Sequence, residues 1–470
     1  MSRTWLLVPL LALYLFHLGA AGFGLDPDEP RYASIGREMA QSGDWITPRL
    51  NGSPWFEKPP LLYWMTALAT KLGFRDEWAA RLPVSLVSIA FLAFFFSIVE
   101  KEFSTGIAAM ATAILGTSAG WLAYSFSAVT DLPMSAAFNT AMLTALFDTR
   151  RRQAAGWIAG IMLGIAILAK AFLPLALFFP IWMIARGKRL AIVAGAFLVA
   201  APWHLLVWLR NGSAFWNVYF WQQQFGRASS AYLPHLQPFW FYLPVLLIGL
   251  FPWTPLFGLL ARRKPYDDVR VTSLLIWLGL AILFLSIIPN KLPGYLLPLI
   301  PGVAIILAAA LDKGTQQQWW ISACALMLAF TPVIAHSLAD AFLTGFTHTH
   351  WTATLQGWPF VIGAGIAWWF AYRKQTAIAV LAAALTAALG AAYLKASALP
   401  ELDRRVSVRA FWESHKKEAE NSCIDPGVRR AATFGLDYYA HRELPECPPI
   451  PVPLRIASTK EGLALVPKTP

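Results

Sequence analysis

Long apolar runs set the rhythm of this chain. Runs of about 16 to 22 residues recur about thirteen times, at roughly 5–23, 83–99, 105–123, 132–148, 154–168, 171–185, 190–208, 239–260, 271–288, 293–311, 319–339, 355–372 and 376–395. A bilayer core takes about 20 residues of α-helix, and backbone amides in hydrocarbon have to be satisfied within the segment. The pattern predicts an all-α polytopic membrane protein with about thirteen transmembrane helices. Lys and Arg gather in alternate connections: "RRR" (150–152), "RGKR" (186–189), "RRK" (262–264) and "RK" (373–374). The other short connections are nearly free of them. The basic set is therefore expected in the cytoplasm with the N-terminus, and an odd number of spans puts the tail outside.

Two stretches break the rhythm. Residues 25–80 form a long outer loop after the first run. In it "PRYASIGREMAQSG" reads as an amphipathic helix with Tyr32, Ile35 and Met39 on one face, and Pro30 is tolerated in its first turn. "PPLLYWMTALATKLGF" reads as a second helix, lying in the membrane interface. The tail, 396–470, is polar and Pro-rich; "VSVRAFWESHKKEAE" looks helical and the remainder loop-rich. The expected division is a transmembrane unit, 1–395, and a small outer C-terminal region, 396–470. The first run ends in "GAAGFG", which resembles a signal-peptide cleavage site, but a single Arg3 is a thin basic region and an uncleaved anchor is the expectation.

Composition agrees with the runs. The 470 residues are 57% hydrophobic and 14% charged, against roughly 25% charged in soluble domains. The formal charge of +12 sits in clusters between apolar runs. That placement points to membrane topology and anionic lipid rather than to nucleic acid. Of three cysteines, Cys324 lies in an apolar run. Cys423 and Cys447 lie in the tail and form either a disulfide, if the tail is outside, or two free thiols.

The candidate chemistry gathers at outer ends of spans. Asp28, Arg31 and Tyr32 lie within one helical turn, and Glu57 and Lys58 stand against Pro59–Pro60. Asp131, Lys170 and Lys291 interrupt apolar surroundings. Asp28 reads in two ways, as the N-cap of the helix that follows or as part of a site. Each lysine has a snorkelling reading as well. Nucleotide sugars are absent from an outer face, so a sugar donor there has to be lipid-linked. Arg and Lys would bind its phosphate, and a carboxylate would take a proton from the acceptor.

"DPDEPRYASIGREMAQSGDWITPRLNGSPWFEKPPLLYW" resembles the first outer loop of the bacterial aminoarabinose transferases, polyprenyl-phosphate-sugar glycosyltransferases related to protein O-mannosyltransferases. The likeness continues through "VTDLPM", "LAKAFLP", "APWHLLVW", "LPHLQPFWFYLPVLLIGLFPWTP" and "SIIPNKLPGYLLPLIP". It implies Asp28 as the catalytic-loop acid with Arg31 and Tyr32 as partners, and Asp131 as the acid of the second outer loop. Lys58, Lys170, Lys291 and Tyr295 would serve the donor phosphate. Glu57 and His235 would share a divalent metal, zinc or magnesium or manganese, the one cofactor the resemblance leaves open. It further implies an inverting glycosyltransferase in the bacterial inner membrane with its site facing the periplasm. The donor would be an undecaprenyl-phosphate sugar and the acceptor lipid A or a related glycolipid. A protein hydroxyl is the alternative acceptor, and a lipid-linked sugar flippase is a reading of another class. Two departures stand out: Ala171 follows Lys170 where the family has Gly, and the tail is shorter than the family's outer domain. His17, His204 and "HTH" at 348–350 read as structural.

Overall fold

The computed structural model describes residues 4–147, 152–226, 235–261, 267–313, 317–345, 347–352, 354–448, 454–459 and 462–467. The clusters at 150–151 and 262–264 lie outside the described residues, as do Leu233 and Pro234 of the matched motif. Every apolar run carries helix, but helix length sorts the runs. Among the described residues seven helical stretches are long and apolar enough to cross a bilayer, or nine if two bent pairs count as one span each. The expectation of thirteen counted composition, and the bends cut the runs short. The 171–185 run yields only Leu173–Ile184, 12 residues, or about 18 Å of helix against a core of about 30 Å. The 5–23 run forms α1 (Thr4–Leu15), also 12 residues. The 105–123 run bends by 62° between α5 (Thr105–Thr117) and α6 (Ala119–Ser125), and the 239–260 run by 111° between Tyr242–Gly249 and Thr254–Leu260.

One helix is wrapped by the others: Ile300–Leu311 of the helix Ile300–Lys313 is buried throughout. Outer helices turn large side chains outward, Phe197 at 72% exposure and Leu190 at 87%, as suits a lipid surface. Helices α7 (Asp131–Phe147), α8 (Arg152–Lys170) and α10 (Arg189–Trp216) form the frame beside the site. Gly156, Gly160 and Gly164 recur every fourth residue on α8. A Cβ on Gly160 would stand 2.4 Å from the Ile192 carbonyl oxygen on α10. Small residues at this spacing let backbones close up where lipid supplies no hydrophobic drive.

The first loop folds as a platform. Helix α2 (Asp28–Ser42) ends at Gly43, whose φ of 70° permits its N–H to reach the Met39 carbonyl. A hairpin follows, Arg49–Leu50 on Ser53–Pro54, and Glu38 of α2 accepts its turn amides, Asn51 at 2.6 Å and Gly52 at 3.1 Å. Then come α3 (Leu61–Lys71) and α4 (Asp76–Glu102). Tyr32, Ile35 and Met39 share the expected face of α2, and it is buried in protein. The start of α2 is tied down by a pair the sequence reading overlooked. Glu29 takes Arg81 Nε and Nη2, each at 2.7 Å, and the Ala128 amide at 2.9 Å. Arg81 also donates to the carbonyls of Leu18 and Ala21 at the end of the first run.

The tail departs from an all-α, loop-rich expectation. Helix Thr376–Arg405 runs on past residue 396. After it, helices Arg409–Ala419 and Arg430–Ala440 pack on a three-stranded sheet in which Cys423–Ile424 runs parallel to Leu454–Thr459 and that strand hairpins to Gly462–Pro467. Val408, Phe411, Trp412, Ile424, Leu436 and Ile456 form its own core. Cys423 and Cys447 are bonded to each other, which decides between the two readings of this pair.

Candidate active site

The D-P-D at the start of α2 divides two jobs between two acids. Asp26 is the cap: its Oδ1 accepts the amides of Asp28 at 2.7 Å and Glu29 at 3.3 Å. The capping role considered for Asp28 therefore belongs to Asp26, and the Asp28 carboxylate turns elsewhere. Its Oδ1 accepts from Arg31 Nη2, and its Oδ2 accepts from the Tyr32 hydroxyl at 3.2 Å. Burial, reinforced by the charge of Asp28, pushes the Tyr32 phenol well above its ordinary range, so it stays a donor. The Asp28 side chain is 41% exposed while Arg31 is 5% exposed, so the carboxylate faces outward with the guanidinium behind it.

Arg31 is enclosed. Its Nη1 stands 3.5 Å from Glu57 Oε2. The rings of Tyr32, Trp55 and Phe434 lie at 5.4, 5.2 and 5.2 Å from its Cζ. Its Nε and Nη1 are buried and make no hydrogen bond among the described residues. Burial works against the charge, yet Tyr32, Asp28 and Glu57 outweigh it and hold the guanidinium pKa above its ordinary value. Lys58 follows Glu57, half-buried, on the turn into Pro59–Pro60.

A second cluster forms where α7 begins and α8 ends. Lys170 Nζ and Asp131 Oδ1 are 2.5 Å apart, and Nζ also lies 4.7 Å from the Tyr295 ring centre. Ala171 has φ 53°, in the left-handed region where glycine fits without strain. Gly294, before Tyr295, lies so close that a Cβ there would stand 2.0 Å from Asp131 Oδ1 and 2.9 Å from the Tyr124 hydroxyl. The Tyr124 hydroxyl thus stands at the same corner as Asp131, on either side of Gly294.

Lys291 stands three residues before Gly294, on the loop that leads to it. Its Nζ donates to the Gln237 carbonyl at 3.1 Å and its amide to the His235 carbonyl at 3.0 Å, beside a single bridge between Leu236 and Asn290. His235 is exposed. Among the described residues no three His, Cys, Asp or Glu side chains converge on a point, and the Glu57 carboxylate already faces Arg31. Glu57 and His235 supply at most two ligands, short of the three or four protein ligands of a zinc site. Tyr124, Trp55 and Phe434 carry no local signal in the sequence. Asp26 carries one, as an Asp two residues ahead of the helix start.

Residues 57–209 match the family described as dolichyl-phosphate-mannose-protein mannosyltransferase. The chain is similar to the undecaprenyl phosphate-α-4-amino-4-deoxy-L-arabinose arabinosyl transferase of Pectobacterium carotovorum, with 32% identity over 72% of this chain and 65% of that protein. The transferase of that name from Pseudomonas aeruginosa is 31% identical over 66% of this chain and 60% of its own length. The match thus spans somewhat under two thirds of these relatives. The fold is that of the crystallised ArnT from Cupriavidus metallidurans bound to undecaprenyl phosphate, with a TM-score of 0.77 and 23% identity over 94% of this chain and 86% of that one. Loop motifs, fold and relatives agree: the chain belongs to the aminoarabinose transferase-like family of polyprenyl-phosphate-sugar glycosyltransferases.

Proposed function

We propose that this protein is an inverting membrane glycosyltransferase that moves a sugar from undecaprenyl phosphate to an acceptor at the periplasmic face of the bacterial inner membrane. Lipid A or a related glycolipid is the acceptor. The observation that carries the reading is Asp28: relieved of capping by Asp26, partly exposed, and oriented by Arg31 and Tyr32. The acceptor hydroxyl attacks the anomeric carbon, the bond from that carbon to the phosphate oxygen breaks, and the hydroxyl proton passes to Asp28. Undecaprenyl phosphate leaves as a monoester with one more negative charge. Arg31 has two buried nitrogens without a hydrogen bond among the described residues, and with Lys58 it offsets that charge. The ion pair of Asp131 and Lys170 sets the wall carrying Tyr295, and Lys291 holds the adjoining loop.

A flippase is the less favoured reading, because transporters bind near the bilayer midplane between paired repeats. The test is transfer by purified protein, with a synthetic undecaprenyl-phosphate aminoarabinose donor and lipid A. No transfer to lipid A or to a peptide hydroxyl would sink the reading. Labelling of single cysteines at 57 and 291 by an impermeant reagent added outside tests the face.

A further inference from the structure

The helix Arg430–Ala440 belongs to the tail, yet it reaches the first-loop site. Phe434 lies 5.2 Å from the Arg31 guanidinium carbon, and one turn later Tyr438 lies 4.1 Å from that of Arg37. The helix is held there from behind. The Tyr438 hydroxyl meets Asp76 at 3.4 Å. The Tyr439 hydroxyl donates to Glu77 and accepts the Phe23 amide at 3.1 Å. Arg409, at the start of the tail, donates to the carbonyls of Gly19 and Ala20, each at 2.9 Å, and pairs with Asp403 at 2.9 Å. The tail is thus braced against α1's exit, α2 and α4 at once.

We propose that Phe434 is a positioning residue of the transferase site. It closes the third side of an aromatic cage whose other sides, Tyr32 and Trp55, come from the first loop. Asp28 and Glu57 hold part of the guanidinium. Its Nε and Nη1 have no hydrogen bond among the described residues. A buried guanidinium in that state is stable only if aromatic faces and nearby carboxylates compensate for lost water. The cage keeps these N–H groups dry and fixed, ready for an anion. Phe434 acts on the donor through Arg31, so the C-terminal unit is a wall of the donor-phosphate site as well as a cover. This inference rests on the proposed reading of Arg31 as a phosphate ligand.

The test uses the full-length protein in lipid nanodiscs, with undecaprenyl phosphate as the binding probe and the synthetic sugar donor for kinetics. Phe434→Ala should weaken undecaprenyl phosphate binding and raise the donor KM about 3- to 30-fold, the range of a cation–π contact between exposed and desolvated limits. kcat at saturating donor should stay within about twofold, since only donor binding is affected. Phe434→Tyr keeps the aromatic face and should bind as wild type. Phe434→Leu keeps apolar volume without that face and should behave as Phe434→Ala. In an Arg31→Gln background, Phe434→Ala should add nothing. Wild-type affinity in Phe434→Leu would overturn the proposal, and so would a full additional loss in the Arg31→Gln background. If Phe434→Ala fails to fold, the Tyr and Leu variants decide. Absence of undecaprenyl phosphate binding by the wild type would overturn the transferase reading itself.

Discussion

Asp26 and Asp28 stand two residues apart with opposite jobs, and matched substitutions separate them. Asp26 accepts two amides at the start of α2, at 2.7 and 3.3 Å. Asn accepts nearly as well, so Asp26→Asn should cost a few tenths of a kcal/mol, whereas Asp26→Ala removes the cap and should cost about 1 kcal/mol. Asp28 caps nothing. Asp28→Asn keeps the acceptor for the Tyr32 hydroxyl and loses the charge facing Arg31. Asp28 is 41% exposed but Arg31 only 5%, so the pair lies between an exposed one and a buried one, and its loss should cost about 1–2 kcal/mol in stability. Arg31 also keeps Glu57 at 3.5 Å.

The rate should respond quite differently. Losing a general base costs about 10²–10⁴-fold, which is about 2.7–5.4 kcal/mol at the barrier. That exceeds the largest stability cost expected of either acid. The assay is single-turnover transfer from the synthetic donor, with the thermal midpoint of each variant measured in the same nanodiscs. Asp26→Ala should lower the midpoint by a few degrees and lower the rate by less than about tenfold, because it frees the Asp28 amide but leaves the Asp28 carboxylate on Arg31 and Tyr32. Asp28→Asn should lower the midpoint by no more than a few degrees and keep the undecaprenyl phosphate affinity while transfer collapses. Transfer by Asp28→Asn within about tenfold of wild type would refute the base assignment.

Other perturbations address the scaffold. Gly294→Ala drives a Cβ into Asp131, 2.0 Å from Oδ1; it should lower transfer on the order of 10²-fold through misplacement of Asp131 and Tyr295, and wild-type rates would show that this wall does not matter. Glu29→Gln or Arg81→Met leaves one buried partner alone and should cost about 3–5 kcal/mol, lost as folded yield, with the double substitution recovering part of it; equal yields for single and double variants would refute the pair's role. Cys423 and Cys447 close a segment with a sequence separation of 24, so Cys423→Ser should loosen the tail by about 3 kcal/mol, read as faster proteolysis of residues 409–467. Burial pushes the Asp437 carboxyl up to about 6 from 3.8. The folded tail therefore holds that proton more tightly than the unfolded chain, and its stability falls as pH rises from about 4 to about 6, then levels. Asp437→Asn should abolish this slope in amide hydrogen exchange of the helix Arg430–Ala440 and protect it at pH 7; an unchanged slope would count against burial as the cause.

How much of this was legible in the sequence depends on the range of the forces involved. Helical periodicity is a local property, so the sequence shows that Tyr32, Ile35 and Met39 share one face of α2, and the structure buries that face. The placement of Asp131 and Lys170 at one end of adjoining helices was legible too, since span order alone brings the start of α7 and the end of α8 together. Hydropathy records composition and says nothing of bends such as the 62° break between α5 and α6, so it does not show which runs form one straight helix. Asp28 was read as a possible cap because any acid before a helix is one. Which of two acids wins is a matter of backbone geometry, and here the chain turns so that Asp26 meets the amides first.

The site's remaining partners come from farther away. Phe434 meets Arg31 only because the tail folds as an α/β unit and because Glu77, Phe23 and Asp76 hold its helix from behind. No local pattern around Phe434 carries that information. The consequence is a division of labour within the proposed donor site. The charged groups Asp28, Arg31, Glu57 and Lys58 lie within one loop, so they stay together in any chain that keeps the loop. The apolar enclosure that makes a buried Arg31 tolerable is drawn in part from a C-terminal unit whose own core is independent of the membrane helices. A relative that exchanged this unit for another would keep the same charges and have to rebuild the third wall of the cage. Changes in donor affinity among relatives should therefore track the residue that covers Arg31, while the rate of the chemical step should track Asp28.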